Sequence, residues 1–236
     1  MADKILLIYN SKIKQIIIWL SGILILTSTI VPQVHLDESF NGHYREYSKT
    51  SIVRSVPSLH ISRVRKYGTL DSLFMFLPKD VWMRDKYPIL RMGNKDGPPN
   101  RVHEELFNVE VVGWVHAAKY EGSSDGDRDF HVILGNDSDL NVATFMNIEI
   151  SGLPPENSNN YETLRNARKD FLDIFSDYNF NNTFKQVDLP RKVKIRGSIF
   201  FDGAHNHSCE KCPGPSYAKP GTVWEIHPIY SITLAH

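Results

Sequence analysis

Hydrophobic and polar positions alternate most clearly in the C-terminal half of the chain. Asn108 to Tyr120 reads as one long strand, and Gly113 is the place where a bend or bulge in it costs least. Phe130 to Leu134 reads as a second strand and Val142 to Ile150 as a third. In the third, Ala143, Phe145, Asn147 and Glu149 share one face, with Thr144, Met146, Ile148 and Ile150 on the other. The period then changes. Tyr161, Leu164, Arg168, Phe171, Ile174 and Phe175 recur at helical spacing, and Asn159 stands three residues before Glu162, as in a capping box. Lys192 to Phe201 and Thr222 to Leu234 return to alternation. Three strands, a helix and two strands predict a mostly β fold, a five-stranded OB-like barrel with one helix between strands three and four. Because order alone does not fix pairing, a mixed α+β sheet is the alternative.

The N-terminal pattern is different. Lys12 and Lys14 precede Ile16 to Val31, which carries no charge, and Pro32 follows. A basic stretch before an apolar run is the layout of a signal peptide or signal-anchor, so residues 1–32 are expected to form a hydrophobic helix of that kind. A buried helix or strand of a soluble core is the competing reading. On the first reading the membrane is a partner through residues 16–31. The positive-inside rule then places residues 33–236 outside the cytoplasm, in the cell envelope, either anchored or secreted. Residues 33–104 are expected to be an irregular extension packed on the main domain, 105–236. Short strands could lie in Ser51–Val56 and Ser58–Val64, and Gly93–Asn100 reads as a turn or linker.

Charge narrows the partners. Lys+Arg and Asp+Glu both total 27, so no global field draws the chain to nucleic acid or to an anionic surface. Trp114, Lys119, Tyr120, Lys194 and Arg196 could still offer a local nucleic-acid face. The chain is 41% hydrophobic and 23% charged, as in folded globular proteins. It contains neither a P-loop nor a Gly-x-Ser-x-Gly elbow, which removes two common enzyme classes.

Three groupings carry candidate chemistry. The first is the run His205 to Cys212, in which the thiols of Cys209 and Cys212 with the imidazoles of His205 and His207 could hold zinc. A local Cys209–Cys212 disulfide competes with that reading, as does a redox-active pair. The second is Asp125, Asp127 and Asp129. They alternate like calcium-loop ligands, but Asn136 stands where an EF-hand needs glutamate, and a solvated turn is the plainer reading. The third is dispersed over strands. His131 and Glu149 lie on the second and third strands, Asp202 and His205 close the fourth, and Glu225 and His227 sit two apart on the fifth. Residues two apart on a strand share a face, so these groups could converge on a metal that activates water, or form a buried hydrogen-bond network.

The blocks Arg91 to Leu134 and Val193 to Leu234 carry Asp129, His131, Asp202-x-x-His205 and Glu225-x-His227-Pro228. In these marks the chain resembles small exported bacterial proteins of unassigned function. The resemblance implies an OB-like fold and a shared polar site, and no reaction; the Cys-x-x-Cys insert departs from that group's glycine-rich loop. The function expected is a non-catalytic, envelope-exposed binding or structural module. The alternative is a metal-assisted hydrolase acting on phosphodiesters, with His131, His205, Glu225 and His227 as catalytic residues.

Overall fold

Valines alternating with polar and aromatic residues along Asn108–Tyr120 (β2) build the strand around which the rest is arranged. The computed structural model describes residues 48–53, 64–92, 101–122, 127–203 and 214–236, all within one unit of the chain, 36–236. The other elements are β1 (Arg65–Tyr67), α1 (Leu70–Phe76), α2 (Asp80–Lys86), β3 (Phe130–Gly135), β4 (Phe145–Ile150), α3 (Tyr161–Ile174), β5 (Lys185–Phe201) and β6 (Trp224–Leu234). The strands form a six-stranded sheet in the order β1-β2-β3-β4-β6-β5, and β5 also pairs with β2. One edge of β2 is occupied by β1 at Val109–Val111 and then by β3 at Trp114–Tyr120, while β5 takes the opposite edge. The β1–β2 and β4–β6 pairings are parallel and the others antiparallel.

Both ladders on β2 shift register between Val115 and Ala117: His116 is an inserted residue against β3, whereas against β5 the excess, residues 187–190, lies on β5. A one-residue insertion in a period-two strand exchanges its faces. Before it, Val109, Val111 and Val115 point into the main core. After it, Ala118 and Tyr120 do so, and Ala117 joins Ile133, Phe145 and Ala218 in a small cluster on the other face. The irregularity expected at Gly113 therefore lies at His116. Gly113 instead permits a close approach, since a Cβ there would come within 2.8 Å of the Gly135 carbonyl oxygen.

The main core takes Phe130, Val132 and Leu134 from β3, Met146, Ile148 and Ile150 from β4, and Trp224, Ile226, Ile229 and Ile232 from β6. α3 contributes Phe171 to it, and Leu164, Ala167 and Arg168 of the same helix are also buried. Phe171 lies 5.1 Å from Phe130 and 5.7 Å from Phe180 between ring centroids. Such aromatic pairs add about 0.5–1.5 kcal/mol each beyond the area they bury. The capping box expected from Asn159 and Glu162 does not form. Asn160 holds the cap position without a side-chain cap and donates instead to the Thr50 carbonyl, while Glu162 pairs with Arg165.

Two expectations are corrected here. The five-stranded OB-like barrel is replaced by a mixed six-stranded sheet, because β1, from before residue 105, adds a strand that local alternation did not reveal. The hydrophobic helix over 1–32 and the membrane contact at 16–31 fall outside the described residues. Among the described residues no helix is long and apolar enough to cross a membrane. The membrane partner and the envelope location expected for residues 33–236 are corrected accordingly, and neither is assigned.

Candidate metal centre

Strand parity gathers the polar residues of β3, β4 and the first half of β6 on one face, which they share with Ile133 and Phe145. Even-numbered residues enter the main core, whereas His131, Asn147, Glu149, Glu225 and His227 occupy the opposite face. Register then sets them side by side. His131 of β3 stands opposite Glu149 of β4, and Asn147 of β4 opposite Glu225 of β6. Asp129 arrives from the turn before β3, where Arg128 adopts a left-handed backbone with φ of 57°. That conformation is uncommon for a residue with a side chain, and it lies between two carboxylates of the cluster, Asp127 and Asp129. None of these polar groups reaches solvent appreciably: Asp129, Glu149 and His227 are each 0% exposed and His131 is 4% exposed.

Glu149 is the centre of the arrangement. Its Oε1 lies 3.0 Å from His131 Nδ1 and accepts from Asn147 Nδ2 at 2.7 Å. Its Oε2 lies 2.6 Å from His227 Nδ1 and 3.7 Å from Lys49 Nζ. The far side of the His131 ring, Nε2, faces Glu121 Oε2 at 3.0 Å and Asp129 Oδ1 at 3.3 Å. Asn147 also donates to Glu225 Oε2 at 3.0 Å, and Glu225 Oε1 lies 3.6 Å from His227 Nδ1. Lys49 donates to Asp127 at 2.9 Å from a nearly closed position. Arg101 donates to the carbonyls of His227, Ser48 and Ile199, which joins the segment around Lys49 to the ends of β5 and β6.

The hydroxyl of Ser151 sets the tautomer of His227. Ser151 Oγ donates its one proton to the Lys49 carbonyl at 2.7 Å, so toward His227 Nε2, 3.0 Å away, it accepts. His227 therefore carries a proton on Nε2 and directs Nδ1 at Glu149. Although that contact is short, neither His227 Nδ1 nor Glu149 Oε2 is in hydrogen-bonding geometry with a protein partner. The same holds for His131 Nδ1, Glu225 Oε1 and both oxygens of Asp129. Buried polar atoms are almost always paired, so this concentration of unsatisfied donors and acceptors needs a physical cause.

The electrostatics show the same crowding. Burial, then the neighbouring Asp127 and Glu149, push the Asp129 carboxyl well above its usual range. Burial, Glu149 and Asp202 do the same to Glu225. Burial opposes charge on His131, yet Glu149 and Asp129 hold its pKa well above the ordinary imidazole value. Glu149, despite its burial, is held well below the carboxylate range by His131, Lys49 and His227. Glu121 is drawn down to about 2, chiefly by its hydrogen bond from His131. Among the described residues, two groups of side chains have ligand atoms mutually within 4.8 Å, Glu121 with Asp129 and His131, and Asp129 with Glu149 and His227. The domain thus carries two His/Asp/Glu groups able to coordinate a metal ion.

Of the residues expected to be catalytic, His131, Glu225 and His227 converge. His205, together with the proposed ligands His207, Cys209 and Cys212, lies outside the described residues. The expected Cys209–Cys212 disulfide lies outside the described residues in the same way. Sequence reasoning grouped Glu149 with the histidines but missed its central place, and it left out Lys49, Glu121, Asn147 and Ser151. Parity on β4 could have supplied Asn147; nothing in the local pattern marks Lys49.

No family model matches the chain, and a comparison with curated proteins returns no match. The resemblance to small exported bacterial proteins with an OB-like fold is overturned on that finding, and the polar cluster must be interpreted from its own geometry.

Proposed function

We propose that the protein is a metal-binding module and that the chemistry open to it is metal-assisted hydrolysis, with phosphodiesters the substrate class to test first. The observation that carries this reading is the set of unpartnered, fully buried ligand atoms on Asp129, Glu149 and His227, gathered within 4.8 Å. A divalent cation there would satisfy acceptors that otherwise lack partners, and mixed imidazole and carboxylate ligands suit zinc or manganese. Such an ion supplies Lewis acidity and lowers the pKa of a bound water.

A second reading, a non-catalytic module, draws on the same burial, because structural metal sites are closed whereas catalytic ones keep an open position. One experiment addresses both. Metal-stripped full-length protein and its Asp129→Asn variant are dialysed against Mn2+ and assayed on bis(p-nitrophenyl) phosphate. Retention of Mn2+ by the native chain alone, with Mn2+-dependent turnover, is the result expected of the hydrolase. Retention without turnover favours the non-catalytic module, and no retention sinks the metal-binding role.

A further inference from the structure

We infer that the cluster is a two-cation centre in which Asp129 is the shared carboxylate. An outer ion is held by Glu121, Asp129 and His131, and an inner ion by Asp129, Glu149 and His227. The inference rests on the metal-binding role proposed above and concerns how many ions the site takes and which of them meets a substrate.

Two observations carry it. Asp129 belongs to both groups of ligand atoms and is fully buried; neither of its oxygens is in hydrogen-bonding geometry, and Oδ1 already faces His131 Nε2 at 3.3 Å. A carboxylate so placed can give one oxygen to each ion.

The two histidines present opposite nitrogens. His131 turns Nε2 to Glu121 and Asp129 while Nδ1 faces Glu149 Oε1. His227 turns Nδ1 to Glu149 Oε2 while Nε2 faces Ser151. In each ring one nitrogen is aimed among ligand oxygens and the other stands against an oxygen outside its group. This is the outer contact that orients metal-binding imidazoles.

The two positions differ in access. Glu121 has 37% of its side chain exposed, while Glu149 and His227 are closed. The outer ion therefore has the route to solvent, and with it the open coordination position that a water or a phosphoryl oxygen would take.

The test uses Mn2+, which avoids thiolate ligands and so separates this centre from Cys209 and Cys212. Metal-stripped full-length protein and the Glu121→Gln variant are titrated with Mn2+ by equilibrium dialysis and followed by electron paramagnetic resonance. Circular dichroism checks that the variant, altered at a half-exposed side chain, retains its fold. Two Mn2+ per native chain with a spin-coupled signal, falling to one uncoupled ion in the variant, is the expected result. One ion in both proteins overturns the two-cation centre while leaving the metal-binding role intact. Two ions in both also overturns it, since the second then lies elsewhere. No ion in the native chain removes the proposed function along with it.

Discussion

At His116 the chain puts an ionisable ring where charge is disfavoured. The ring is fully buried, stands edge-on to Phe145, and its Nε2 lies 2.7 Å from the Asp137 carbonyl. Burial draws its pKa below the imidazole value of 6.5, with the Asp137 carbonyl pulling the other way. Between the folded and unfolded pKa values the unfolded chain binds more protons. The contribution of His116 is therefore complete above about pH 6.5 and declines as pH falls through the folded value. His131 has the opposite sign: its raised pKa stabilises the fold at low pH, and that contribution is lost as pH rises through the folded value. The informative quantity is accordingly the difference between native protein and His116→Phe. Urea midpoints taken from about pH 7.5 to about pH 5 should fall less steeply in the variant. A constant difference across that range would mean that His116 does not titrate on unfolding.

Among the elements, α3 joins the sheet through aromatic packing. Phe171 is fully buried against Phe130, Phe175 and Phe180. Phe171→Ala is expected to cost about 3–5 kcal/mol in urea unfolding, and a loss below about 1 kcal/mol would mean that the helix is not packed in this way. The apolar stripe of α3 was readable in the sequence because fourteen residues give four helical turns over which a period can show itself. α1 and α2, seven residues each, are too short for that. β1 has three residues and depends on its partner, Val109–Val111, which no local pattern announces. The front of β5, Lys185 to Pro190, does not alternate clearly; it is a strand because Ala117 and Ala118 of β2 pair with Gln186 and Lys185.

For the molecule as a whole, a ligand that binds only the folded state raises stability by mass action. At a hundredfold excess over its dissociation constant, one ion adds about 2.7 kcal/mol, or roughly 5–10 °C in Tm for a domain of this size. Differential scanning calorimetry of metal-stripped protein should show that rise with Mn2+ and its reversal with chelator. An unmoved Tm at saturating Mn2+ would leave the cluster as a network balanced by protons. Much of this centre was legible from alternation, because His131, Glu149, Glu225 and His227 fall on strand positions of one parity. Lys49, Glu121 and Ser151 were not, because they come from turns and flanking segments whose approach is decided by long-range packing.

The parity of β3, β4 and early β6 has a further consequence for how the protein can change over generations. Even-numbered positions there govern whether the chain folds, and odd-numbered ones largely govern what it holds. Point substitutions can rewrite the two almost independently. A single-codon insertion or deletion inside one of these strands would exchange the two sets at once, placing carboxylates in the oil and valines and isoleucines around the ion. These strands should thus remain fixed in length even where their residue types change.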